Sequence, residues 1–302
     1  MNNEIYAGAL ELIPGYLRNE VKLDAVLSEK AEEIRLRAGR KATVLVGERE
    51  IITGKIPITS LDLERVLEIA TGASAYSVRD CLRAGYITAK GGYRIGVCGS
   101  AVVKNGGIVG FRELTSLAIR IPRDITGVAE KIMPGLISNG KFESTLIISP
   151  PGGGKTTFLR DAVRVLSDGA SASGLKGMRV ALADERGEIA CVYSGVPQRN
   201  VGGLTDVMDG CPKAQAVMML LRTMNPHVIA LDEITAEEDI LAIQSCANCG
   251  VAVIATAHAE SINDLYSRPM YAKLLESGIF KNAVFITKSD GKRNFKTLRL
   301  GR

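Results

Sequence analysis

Residues 149–157 read SPPGGGKTT, directly after the apolar run TLIIS (145–149) and directly before the helical stretch TTFLRDAVRVL. Three successive glycines, Gly152 to Gly154, let the backbone curl so that several amides point inward, where any Cβ would obstruct a phosphate oxygen. Lys155 supplies a point charge to β- and γ-phosphates, Thr156 supplies a hydroxyl ligand for magnesium, and the helix behind them presents its N-terminus to the anion. Pro151 and Thr157 border the turn, so the expected ATP- and Mg²⁺-binding set is Pro151, Gly152, Gly153, Gly154, Lys155, Thr156 and Thr157. The usual pattern is G-x-x-x-x-G-K-[ST]; Ser149 stands at its first position, where a small residue still eases the exit from the strand.

A turn of this kind needs a sheet beneath it, and the second half of the chain supplies the strands. RVALA (179–183), HVIAL (227–231) and VAVIAT (251–256) are apolar without alternation, as strands buried on both faces are, and they alternate with helical stretches such as KAQAVMMLLRTM. Strand, helix, strand in repetition predicts an α/β domain with a mainly parallel sheet and right-handed crossovers. Ligands of such sheets bind at the carboxyl ends of the strands, which directs attention to the polar residues found there.

HVIAL ends in Asp232 and Glu233. Asp232 is expected to hold Mg²⁺ through its water shell, and Glu233 to polarise the attacking water. RVALA runs into ADERGEIA, which brings a second acidic cluster, Asp184, Glu185 and Glu188. VAVIAT leads into ATAHAES, with Thr256 and His258 at the strand end; a neutral imidazole both donates and accepts, which suits the γ-phosphate or its water. His227 begins its strand and reads as structural.

The first part of the chain has a different texture. Leu10, Ile13, Leu17, Val21 and Leu27 recur at helical spacing; short β-rich runs (TVLVG, EIITG) then precede the helix LDLERVLEIATG, opened by Ser60. Between Tyr86 and Ile121, alternating apolar residues and the turn NGG predict a meander of antiparallel strands. A smaller α+β domain over 1–138 and a P-loop ATPase domain over 139–302 are therefore expected.

Composition narrows the class. Charged residues at 24% and a net charge of +5 describe a globular chain, with nothing collagenous or wholly disordered about it. No apolar run is long enough to span a bilayer, and the N-terminus lacks a basic start with an apolar signal core, so a cytoplasmic location is expected. The basic residues are dispersed apart from the tail KSDGKRNFKTLRLGR, read as a solvated edge. Six cysteines at irregular positions read as small buried hydrophobes, with the C-x-x-C of Cys246 and Cys249 near the end of a helix.

In the order SPPGGGKTT, ADERGEI, LRTMNPHVIALDEI, TAHA, these stretches resemble the secretion-ATPase branch of RecA-like P-loop enzymes, the motors of type II and type IV secretion and pilus retraction. EEIRLRAGR, GGYRIGVCG, FRELTSLAIRIPRDI, GVPQRNVG and TDVMDGCPKA resemble the sporulation members of that group, and together the stretches cover most of the chain. The resemblance implies an ATP-hydrolysing motor that energises a membrane-associated secretion or channel apparatus in sporulation, from mother cell to forespore. It implies a homohexamer recruited peripherally to membrane proteins, with Asp184, Glu185 and Glu188 as an acidic box. It also implies N-terminal arginines at the phosphates, with Arg120 and Arg123 in AIRIPRD as candidates. Leu204 stands in VGGLTDV where the family pattern leads one to expect an arginine. A nucleic-acid-dependent ATPase of the RecA-like type is the alternative, favoured by the basic balance. No aromatic residues interleave with a basic stripe, so no nucleic-acid partner is expected. A small-molecule kinase would need a lid insertion, and a scaffold that binds nucleotide without turning it over separates only by kinetics.

Overall fold

The computed structural model describes residues 2–72, 85–123, 125–170, 174–289 and 292–300. Its contacts divide the chain into two compact units, Met1–Arg123 with Tyr193–Gln198, and Asp124–Val192 with Arg199–Arg302.

The first unit is built on a six-stranded sheet of β1 (Ala31–Arg37), β2 (Lys41–Val46), β3 (Arg49–Pro57), β4 (Tyr86–Ala89), β5 (Tyr93–Lys104) and β6 (Gly107–Arg120), in the order β3-β2-β1-β6-β5-β4. Every neighbouring pair is antiparallel. The two-residue turn between β5 and β6 is Asn105-Gly106, both at positive φ (49° and 75°), as the right-handed twist of a tight hairpin demands. The helices Asn2–Glu11, Ala25–Lys30 and Ser60–Thr71 accompany the sheet. The last of these is capped by Thr59, whose hydroxyl accepts from the Asp62 amide while the Asp62 carboxylate accepts from the Thr59 amide, so Ser60 is its first residue and Thr59 its cap. Ile34, Leu36, Val44, Leu63, Val66, Ile95 and Ile119 lie in one buried cluster.

The second unit carries the short strands β7 (Ile137–Ser138) and β8 (Lys141–Phe142) and the main strands β9 (Thr145–Ser149) and β10 (Val180–Asp184). The hairpin of β11 (Val192–Tyr193) and β12 (Val196–Pro197) follows in the chain, its residues 193–198 belonging to the first unit; the second unit then continues with β13 (Thr205–Asp209), β14 (Val228–Leu231), β15 (Ala252–His258), β16 (Asn282–Ser289) and β17 (Lys292–Arg299). Its seven-stranded sheet has the order β13-β10-β14-β15-β9-β16-β17. All pairs are parallel except β16 with β17. Successive residues of β9 enter opposite cores: Leu146 and Ile148 pack with Ile243, from the helix Glu237–Asn248, and Ile147 packs with Phe158 and Leu159, from the helix Lys155–Asp168. That arrangement explains why these strands are apolar without alternation.

The compact units divide after Arg123, whereas the sequence placed the boundary after 138, and residues 125–138 pack with the second unit. Ala129, Met133 and Leu136 share a buried cluster with Phe158, and the Asp161 carboxylate accepts from the Gly127 and Ala129 amides. The apolar spacing of VAEKIMPGLIS shows that it is buried but carries no information about which core receives it. The basic tail lies at a solvated edge, as expected: β17 is the outermost strand, largely exposed, with Phe295 stacked on Phe158 at 5.4 Å between ring centroids. Residues 290, 291, 301 and 302 of that tail lie outside the described residues.

Candidate functional site

The strand order creates the site. β9 lies between β15 and β16, and the ladder sets Ser149, where β9 ends, opposite His258, where β15 ends. Between Ser149 and the helix Lys155–Asp168 the chain makes its glycine turn. Gly152 and Gly154 hold φ of 72° and 102°, conformations that L side chains rarely adopt. Gly153 is glycine for a different reason: a Cβ there would sit 2.1 Å from the Ser149 hydroxyl oxygen. The serine at the start of the motif thus places a steric demand on the loop that follows it.

Lys155 is buried, and its Nζ donates to the Ser149 carbonyl at 3.1 Å and to His258 Nδ1 at 2.8 Å. An ammonium has no acceptor to offer, so Nδ1 accepts and a neutral His258 carries its proton on Nε2, the nitrogen 3.4 Å from Glu233 Oε1. Burial lowers the pKa of Lys155, against the opposing pull of the Glu233 and Asp232 charges. An anion seated on the loop would repay that desolvation.

Asp232 follows β14 directly. Its Oδ2 accepts from the Thr156 hydroxyl at 3.3 Å and its Oδ1 from the Thr256 hydroxyl at 2.7 Å. Thr256, fully buried in β15, also accepts from the Glu233 amide at 2.8 Å, and this pins the turn in which Glu233 adopts φ 33°. A left-handed conformation costs a residue with a Cβ about 1–2 kcal/mol, so such a turn persists only where its surroundings enforce it. The Glu233 carboxylate lies between His258 on one side and Arg186 Nη1, 3.8 Å away, on the other.

The three carboxylates of 184–188 are placed differently. Asp184 is buried, and its oxygens accept from the amides of Glu188 (2.9 Å), Ile189 (3.1 and 3.2 Å) and Ala190 (2.8 Å). Burial raises its pKa, and those amides work against the rise. Its carboxylate therefore holds the loop that bears its neighbours. The same loop is fastened from the other side by Arg160, which donates to the carbonyls of Glu188 and Ile189 at 2.7 and 2.6 Å. Glu185 accepts from Lys213 Nζ at 3.1 Å, and Lys213 also donates to the Thr235 hydroxyl at 3.1 Å.

These groups surround a cleft of about 360 Å³ lined by Gly152, Gly154, Lys155, Thr156, Thr157, Glu188, Asp232, Glu233 and His258. Arg186 and Arg293 complete the lining. Pro151 and Glu185 are not among the lining residues; Pro151 is exposed beside the loop. The donor set fits a magnesium-bound nucleotide: a hydroxyl and a carboxylate as hard oxygens 3.3 Å apart, next to an ammonium and a loop of amides. Arg186 and Arg293 were missed by sequence reasoning. Arg186 carries a signal, a cation inside an acidic run at a strand end, whereas Arg293 lies in a stretch that reads as exposed. Arg120 and Arg123 are engaged within the first unit, Arg120 at 3.6 Å from Glu33, Arg123 at 3.4 Å from Glu32 and donating to the Lys30 carbonyl. The C-x-x-C splits into a buried Cys246 and an exposed Cys249, and no cluster of three or more His, Cys, Asp or Glu that could hold a metal forms among the described residues.

The family model described as sporulation stage III, protein AA matches residues 5–298. The chain belongs to this family. Stage III sporulation protein AA of Bacillus subtilis (strain 168) is 37% identical over 260 residues, spanning 86% of this chain and 83% of that protein. Protein SEEDLING PLASTID DEVELOPMENT 1 of Arabidopsis thaliana is 29% identical over 86% of this chain but only 34% of its own length. Among solved structures, the pilus retraction motor PilT with bound ADP superposes with a TM-score of 0.62 at 17% identity, covering 94% of this chain and 84% of that one. The ATPase DotB of Legionella pneumophila superposes with a TM-score of 0.58 at 18% identity, covering 90% and 77%. The fold is therefore that of the secretion ATPases, an N-terminal domain followed by a P-loop domain on a mainly parallel sheet. No helix among the described residues is long and apolar enough to cross a membrane.

Proposed function

We propose that the chain is a Mg²⁺-dependent ATPase motor that energises a membrane-associated secretion or channel complex of sporulation, acting from mother cell to forespore. The observation that carries this reading is the convergence of Lys155, Thr156, Asp232, Glu233 and His258 on one cleft. Lys155 would neutralise β- and γ-phosphate charge, leaving its contacts with His258 and the Ser149 carbonyl to do so. Thr156 and Asp232 would hold the metal, whose charge would offset that developing on the transferred phosphoryl group. Thr256 keeps Asp232 aimed and Glu233 in its turn. Glu233 accepts the proton of the attacking water, with His258 Nε2 and Arg186 setting the orientation of its carboxylate. Asp184 orders the loop of the acidic box, Glu188 faces the cleft from it, and Glu185 ties it to Lys213.

The family's sporulation context and the fold shared with PilT and DotB support a motor role. On this reading the subunit is cytoplasmic, assembles as a homohexamer and is recruited peripherally by membrane proteins of the sporulation apparatus, with no nucleic-acid partner. Phosphate release from ATP by the full chain, with and without Mg²⁺, tests the enzymatic core. Lys155→Ala should lower the rate by about 100-fold or more, in the range lost with one preorganised charge-stabilising donor. Equal rates for wild type and Lys155→Ala would refute it. Native mass spectrometry with ATP tests the ring, whose absence at all protein concentrations would refute that part alone.

A further inference from the structure

Arg293 lies in the outermost strand of the sheet, far along the chain from the glycine turn, yet its Nε donates to the Gly153 carbonyl at 3.0 Å. The approach is close: a Cβ on Gly154 would stand 2.7 Å from that Nε and 3.2 Å from Arg293 Cδ. Gly154 is required by its φ of 102°, and its lack of a side chain leaves room for the arginine lying against it. Two residues on, Phe295 stacks on Phe158 of the helix that follows the turn, so β17 is anchored to the same element that the phosphate loop opens. Arg293 lines the cleft with Lys155, Thr156 and Glu188.

We propose that Arg293 is a nucleotide-phosphate ligand contributed by the β17 hairpin. The inference rests on the reading of this cleft as the ATP site and adds to it a contact that the P-loop motif does not contain. A guanidinium offers five N–H donors in a rigid plane. With Nε held by the loop carbonyl, both Nη groups remain for an anion, and a planar fork matches two phosphate oxygens where an ammonium matches one. The charge balance agrees. The cleft sets Asp232, Glu233 and Glu188 against Lys155 and Arg186, so without Arg293 its lining carries no excess positive charge to meet a polyphosphate that stays anionic with Mg²⁺ bound, and the Arg293 guanidinium lies against Gly154.

The test is the affinity of the full chain for ADP and ATP, with Mg²⁺, in wild type and in Arg293→Ala, Arg293→Lys and Arg293→Gln. Arg293 is exposed on an edge strand, so the variants should keep the wild-type circular dichroism and melting temperature. Arg293→Ala should weaken both nucleotides about tenfold, as the loss of one charge-assisted pair does. Arg293→Lys, which keeps the charge and loses the fork, should recover part of that loss, and Arg293→Gln, which keeps a donor for the Gly153 carbonyl and loses the charge, should recover none. Unchanged affinity in Arg293→Ala overturns the proposal while leaving the P-loop reading intact. Recovery by Gln without recovery by Lys also overturns it, because the residue is then only a brace for the loop. A wild type that binds neither nucleotide, with Lys155→Ala indistinguishable from it, removes both readings together.

Discussion

The two sheets of this protein bury their residues by different rules. In the first unit β4 alternates half-buried and buried positions, and β5 and β6 become largely exposed toward their shared turn, so one face is packed while the other meets solvent. In the second unit β9, β10 and β14 are buried at every position, because helices cover both faces. A sheet closed on both faces leaves polar groups mainly at strand ends, and one inside it, such as Thr256, must find a partner. The carboxyl ends of β9, β10, β14 and β15 accordingly collect Ser149, Asp184, Asp232 with Glu233, and His258, and a ligand cleft forms there. The antiparallel sheet spreads its polar residues along its open face and, among the described residues, concentrates no comparable set.

This contrast can be broken by substitution. Ile147→Ala and Ile148→Ala, adjacent positions of β9 that enter opposite cores, should each cost about 2–5 kcal/mol. In β4 only Ile87→Ala should do so, and Thr88→Ala should cost well under about 1 kcal/mol. Denaturant midpoints decide the matter, and a β9 pair differing as widely as the β4 pair would mean that one face of the parallel sheet is open. Next in size, Asp184→Ala should cost about 2–3 kcal/mol, because it leaves buried amides at 188–190 without an acceptor. Hydrogen exchange of the Ile189 and Ala190 amides should rise with it; unchanged protection would show that Arg160 alone holds the loop. Thr256→Val should lower turnover about tenfold with ADP affinity nearly intact, since it frees the aim of Asp232 and Glu233 without touching the glycine turn. An equal loss of ADP binding would move Thr256 from the chemistry to the fold.

The smallest effect concerns pH. Burial depresses the Lys155 pKa, so its ammonium is lost at lower pH than that of an exposed lysine, which titrates near about 10.4. Nucleotide affinity requires the charged form. As pH rises it should therefore begin to fall before that value is reached, as ADP titrations at stepped pH would show. A fall only above it would mean that the free site does not desolvate Lys155.

Much of this was legible in the sequence, for a shared physical reason. The glycine turn with the helix behind it, and each apolar strand with the acids that end it, are each encoded within a short run of consecutive residues. They follow from backbone conformation at glycine, from the run length of apolar residues, and from the tendency of a strand buried on both faces to be polar mainly where it leaves the sheet. Thr59 as a cap was one position from the expected start for the same local reason. What neighbouring residues cannot encode is which strands lie side by side. The assignment of 125–138 to a core, the seating of Lys155 Nζ on a histidine of another strand, and the engagement of Asp184 by the amides of its own loop depended on partners supplied by packing.

Arg293 is the clearest case. Its surroundings, KRNFKTLR, describe an exposed edge strand and nothing more. Sheet order places β16 beside β9 and β17 beyond it, and stacking of Phe295 on Phe158 draws the hairpin onto the helix of the glycine turn. The chain by itself specified a phosphate-binding loop and the acids that face it, since each is a local pattern; which distant cation reaches that loop was decided by strand pairing, a long-range choice whose energy resides in contacts between segments and in no single one of them.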